Sequence, residues 1–196
     1  MRKQKGFSLI ELLIVVAIIL IIAAIAIPNL LRARISANES SAVGSVRNIV
    51  TQEIAYQSAY QTTGYAPAIV DLGPPAGLAA CAPATVPGPL AACLIDGVLS
   101  GSQTGGQPVK SGYGFEVIGK NSDGTGINGG VWQGFYAAAV PVTFNQSGTR
   151  NFCAIEDGVT RGNAPIAGNT GGYAGAAALA GGGAAVCTAA PYLALQ

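Results

Sequence analysis

Histidine is absent from the 196-residue chain, and methionine and tryptophan occur once each. Without imidazole there is no His metal ligand, no His-based triad and no side chain poised for acid–base work near neutral pH. Charge is scarce as well, at 10% of residues, and almost balanced at 10 basic against 9 acidic side chains. A net charge of +1 provides no electrostatic footprint for nucleic acid. No nucleophile comes with an activating base, so neither an enzyme nor a cofactor is expected. The four cysteines include no C-x-x-C pair and fit two disulfides in an oxidising compartment better than a zinc site or a redox motif. What the chain has in quantity is small: 34 Ala and 28 Gly make up 62 of its residues. At 50% hydrophobic it is too apolar for a disordered chain.

The apolar residues are concentrated at one end. Arg2, Lys3 and Lys5 precede a stretch over 7–27 whose only charge is Glu11. Such a stretch reaches ~31 Å as a helix, the thickness of a bilayer's hydrocarbon core. The basic flank predicts a single pass with Met1 on the cytoplasmic side. Ala24-Ile25-Ala26 also fits a secretory cleavage site, which would release a soluble binding domain cut after Ala26. Against cleavage there, Glu11 lies inside the would-be apolar core, where a carboxylate costs ~2.5–3.5 kcal/mol. The helical pattern also runs on past the site. Ile35, Ala42, Val43, Val46, Ile49, Val50 and Ile54 recur at three- and four-residue steps, with Glu39 and Glu53 read among the polar neighbours. A helix from about 7 to 60 follows, ~80 Å long and expected to kink or loosen at Pro28.

The run Lys5-Gly6-Phe7-Ser8-Leu9-Ile10-Glu11-Leu12-Leu13-Ile14-Val15-Val16-Ala17-Ile18-Ile19, extended by Ala26-Ile27-Pro28-Asn29, resembles the processing signal of type IV prepilins. The resemblance covers roughly the first 50 residues and implies cleavage between Gly6 and Phe7 by a prepilin peptidase/methyltransferase, with N-methylation of Phe7. It implies an inner-membrane subunit that the pilus assembly machinery builds into a homopolymer at the cell surface, its long helices packed in the filament core. Glu11 would then meet the terminal amine of a neighbouring subunit, which agrees with the need of an intramembrane carboxylate for a partner. Removal of residues 1–6 leaves 7 basic against 9 acidic side chains, a net charge of −2. A type II secretion pseudopilin or a minor pilin shares such a helix and stands as an alternative.

The expected architecture is α+β: a leader over 1–6, a transmembrane half over 7–27, an amphipathic half over 28–62 and an extracellular head over 63–196. Within the head, 63–111 reads as a loop. Strands are expected at 112–119, 131–143 and 150–156, with a short fourth at 159–160, as an antiparallel sheet over about 112–160 packed on the amphipathic helix half. Residues 161–196 form the C-terminal region, uncharged from Gly162 onward, rich in Ala and Gly after 170 and expected to be mostly loop. Among three possible cysteine pairings the reading prefers Cys81–Cys93, a local staple, and Cys153–Cys187, tying the tail to the third strand; the latter resembles the disulfide-bounded region of pilins. Phe115, Trp132, Phe135, Tyr136 and Phe152 read as core, and Tyr56, Tyr60 and Tyr65 as lining the helix end or a filament surface. The oxygen-rich 121–128 stretch reads as a turn in preference to a Ca²⁺ loop. The tripeptides starting at Asn38 and Asn145 match a glycosylation pattern that is common by chance.

Overall fold

The computed structural model describes residues 8–83, 85–102, 108–120, 131–163, 187–188 and 192–195. The first of its elements is α1 (Leu9–Ala59), 51 residues in one helix. Ser8 precedes it in an extended conformation, and the Glu11 carboxylate accepts the Ser8 N–H at 3.0 Å. Pro28 lies inside α1 and does not end it. Lacking an N–H, Pro28 leaves the carbonyl of Ala24 without its usual donor four residues on.

The two halves of α1 differ in what covers them. Its N-terminal half is long and apolar enough to cross a membrane, and none of it is buried. From residue 39 onward one face is buried, through Glu39, Ala42, Val46, Ile49, Glu53 and Tyr56. Steps of three and four bring these positions onto a single stripe. Two sequence expectations change here. Ile54 points outward, about half exposed, while Glu39 and Glu53 lie on the packed face. Tyr56 is fully buried and Tyr65 nearly so; neither is a surface residue.

Between helix and sheet the chain forms a 3₁₀ turn (Ile69–Leu72) and a one-turn helix, α2 (Gly97–Ser100), both inside the stretch expected as loop. Asp96 caps α2, its Oδ1 accepting the N–H groups of Val98 and Leu99 at 3.1 and 2.9 Å. Among the described residues the sheet has six strands in chain order, each antiparallel to the next: β1 (Val109–Lys110), β2 (Tyr113–Lys120), β3 (Gly134–Pro141), β4 (Phe152–Ile155), β5 (Arg161–Asn163) and β6 (Tyr192–Ala194). The sheet therefore starts before 112 and ends after 160. Ser111 and Gly112 link β1 to β2 with positive φ angles of 50° and 73°, the geometry of a two-residue primed turn. The short fourth strand lies at 161–163 and not at 159–160, because a turn at Asp157-Gly158 delays it; Arg161 pairs with Asp157 across that turn. Strand β6 completes the sheet from within the tail, pairing with β5 from Arg161↔Ala194 to Asn163↔Tyr192.

Helix α1 packs on β3 and β4. Along β3 the alternation sends Phe135, Ala137 and Ala139 to the helix side. Tyr136 and Ala138 face the other way, into a smaller cluster with Cys153, Ile155, Cys187 and Tyr192. Alanine at two of the helix-facing positions lets the backbone of α1 approach the sheet closely. Every residue of β3 is buried, as in a central strand covered on both faces.

Candidate functional site: an exposed apolar helix and the clamps on its head

The N-terminal half of α1 presents apolar side chains around its whole circumference. Leu9 is 73% exposed, Leu20 64% and Ile27 66%. In water such a surface is strongly unfavourable at about 25 cal/mol per Å², so it demands a lipid or protein environment. Glu11 is the single carboxylate in that half, exposed one turn into the helix. Its contact with the Ser8 N–H places negative charge at the positive end of the helix dipole. Gly6 and Phe7, where processing is expected, lie outside the described residues.

The head is held to α1 through Glu39. Its Oε1 accepts from the Thr149 N–H at 3.0 Å and the Thr149 hydroxyl at 2.8 Å; its Oε2 accepts from Arg150 Nε at 2.9 Å and forms an ion pair with Nη2 at 2.8 Å. Burial alone would raise the Glu39 pKa, but these bonds and the Arg150 charge outweigh it and hold the group below the usual carboxylate range. Nearby, Asn38 Nδ2 donates to the Ser147 carbonyl at 2.8 Å, so this asparagine is part of the helix–head contact.

Glu53 is the second carboxylate on the packed face. It is 0% exposed; Oε2 accepts the Ala66 N–H at 2.9 Å, and Oε1 has no partner among the described residues. Burial, with the nearby Asp71 charge, pushes its pKa up to about 8, against the single lowering contact from Ala66. Asp71 is also raised, mainly by burial. Tyr56, one turn on, donates to the Pro89 carbonyl at 2.6 Å and is pushed up to about 12 by burial. Helix α1 is thus tied to the 60–95 segment by one carboxyl and one phenol. Sequence reading assigned Glu39 and Glu53 to the polar side. The signal that would have found them was their register with Ala42, Val46, Ile49 and Tyr56.

The structure joins Cys81 to Cys93 and Cys153 to Cys187, each with Cα atoms 5.9 Å apart. The first closes a loop that reaches α1 through the Pro89 carbonyl, the acceptor of the Tyr56 hydroxyl, and whose Ala92 is buried in the core. The second links β4 to the short stretch leading toward β6. The 121–128 stretch lies outside the described residues, and no cluster of metal-ligating side chains occurs among those that are described.

A long apolar helix whose second half forms one layer of an α+β head, against an antiparallel sheet, is consistent with the fold of the pilins. Residues 1–27 match the family model described as "Prokaryotic N-terminal methylation motif". Two curated relatives then specify the resemblance. The type IV wide pilus major component PilA4 of Thermus thermophilus is 53% identical over 57 residues, 29% of this chain and 44% of the relative. The type IV major pilin protein PilA of Myxococcus xanthus is 43% identical over 56 residues, 29% of this chain and 26% of the relative. The chain spans less than half the length of each. No solved structure matches it significantly. The resemblance to type IV pilins read from the N-terminal residues is upheld.

Proposed function

We propose that this chain is a pilin: a structural subunit cleaved between Gly6 and Phe7, methylated on the new amino group and polymerised through α1 into an extracellular filament. The observation that carries this reading is the bare, wholly apolar half of α1 with one carboxylate at its start. A membrane covers that half before assembly, and the same halves of other copies cover it afterwards. Glu11 pairs with the methylated amine of a neighbouring Phe7. In a low-dielectric core, charge neutralisation of that kind fixes the axial register between subunits. Prepilin peptidase, the assembly machinery and the inner membrane are the partners before export. With a net charge of −2 after processing, the subunits repel one another little when packed at high density.

The test is the intact mass of the chain in a sheared filament fraction. A mass beginning at methylated Phe7, less the four hydrogens that two disulfides remove, supports the proposal. The same mature chain found solely in the membrane favours a pseudopilin or a minor pilin. A soluble chain beginning at Ile27 overturns the reading.

A further inference from the structure

At the far end of α1 from its apolar half, the last helical turn and the loop after it face the chain entering β3 across an open cleft. The cleft holds about 500 Å³, within the range of small-molecule sites. Gln57, Ser58, Gln61, Gly64, Trp132 and Gln133 line it. No lining residue among those described carries a charge, so an ion meets no counter-charge among them. The three glutamine amides have no protein partner among the described residues, whereas the Ser58 hydroxyl donates to the Ile54 carbonyl at 2.9 Å. A purely apolar ligand would strip water from those amides and return no hydrogen bonds. The Trp132 indole offers the opposite chemistry, an electron-rich flat surface that attracts polarised C–H groups.

The indole is held in place before any ligand arrives. The main chain that carries it is anchored on both sides: the Trp132 backbone N–H donates to the Thr63 carbonyl at 2.8 Å, and the Trp132 backbone carbonyl accepts from the Tyr65 N–H at 3.0 Å. Gly64 sits between these two contacts with φ of 81°, and a Cβ there would overlap the Trp132 carbonyl. On the sheet side the ring lies across Gly119, where a Cβ would come within 2.8 Å of indole Cδ2. The residue as a whole is partly exposed and lines the cleft.

We propose that this cleft is a binding site for a neutral carbohydrate. A sugar ring presents an apolar C–H face for the indole and a rim of hydroxyls that both donate to and accept from Gln57, Gln61 and Gln133. The site belongs to the head alone and does not depend on filament formation, so its failure would leave the pilin reading intact.

Trp132 is the single tryptophan of the chain and therefore its own reporter. The full-length protein is held in an amine-oxide detergent, which carries no sugar headgroup, and titrated with chitotriose and cellotriose. A saturable change in Trp132 emission is expected with at least one of them, half-complete at about 1 mM, the weak end of specific binding. The variant carrying both Gln57→Ala and Gln61→Ala should keep its far-UV circular dichroism and bind about tenfold more weakly, two lost hydrogen bonds' worth. No saturable change with either sugar, or an undiminished response in the double variant, overturns the proposal. An equal response to glycerol or to trigalacturonate overturns it too, because the site would then recognise neither a ring nor neutrality.

Discussion

Glu53 reaches the interior of the head uncompensated on one oxygen, and its ionisation follows from that. When folded the carboxyl stays protonated up to about pH 8, whereas an unfolded chain releases the proton near the ordinary value of 4.5. The folded state therefore binds more protons between these limits, and stability must fall as pH rises from about 4.5 to about 8, then level off. The slope approaches about 1.4 kcal/mol per pH unit for one group. Thermal melts across that window should show the decline. Glu53→Gln should leave only the shallower slope due to Asp71, whose pKa is raised in the same direction. Glu39 behaves oppositely. Its lowered pKa stabilises the fold above 4.5, and that contribution is lost as pH falls through the folded-state value. Glu39→Ala strands Arg150 and both Thr149 donors, and denaturant titration should register a loss of about 1–3 kcal/mol, moderated because Arg150 is 39% exposed. Glu11 has no share in the head, so Glu11→Ala should leave processing and head stability unchanged and abolish filaments. Abundant filaments from that variant would remove the register role assigned to it.

The two disulfides act at the level of elements. Cys81–Cys93 closes a loop of 12 residues against the helix, and Cys153–Cys187 closes one of 34 between β4 and the approach to β6. Loop-closure entropy makes the longer bridge worth more, about 4 kcal/mol against about 3 kcal/mol. Replacing both members of each pair by serine should follow that order in urea midpoints, and loss of the Cys153–Cys187 bridge should also loosen β6. Hydrogen exchange at Leu193 and Leu195 reads that loosening directly, since the Leu195 N–H donates to the Thr160 carbonyl at 3.0 Å. Helix α1 gains its stability unevenly. Its second half is fixed by packing on β3 and β4, while its first half depends on whatever apolar medium surrounds it.

Across the whole molecule, legibility in the sequence tracked the length and periodicity of each element. Helix α1 spans 9–59 against an expected 7–60, because a 51-residue pattern averages out local noise. Strands β3 and β4 lie within the expected stretches and β2 runs one residue past its own, to Lys120; their aromatic residues are buried as expected, and Trp132, just before β3, is partly buried against the core. Strand β1 has two residues and β6 three, too few for any alternation to register. Both exist because a neighbouring strand offers open hydrogen bonds, which is tertiary information. Glu39 and Glu53 were misplaced because charge was taken as a mark of solvent, when their bonding partners, Thr149, Arg150 and Ala66, lie far along the chain or across a turn. The cleft beside Trp132 was equally hidden, since it joins residues from 57 to 133.

The bridge between Cys153 and Cys187 also bears on survival in a medium full of hydrolases. A peptide bond cut anywhere from 154 to 186 leaves both fragments covalently joined through β4. The nicked chain would run at full mass on a non-reducing gel and split only after a thiol is added. A single scission in this span therefore costs the subunit no part of itself.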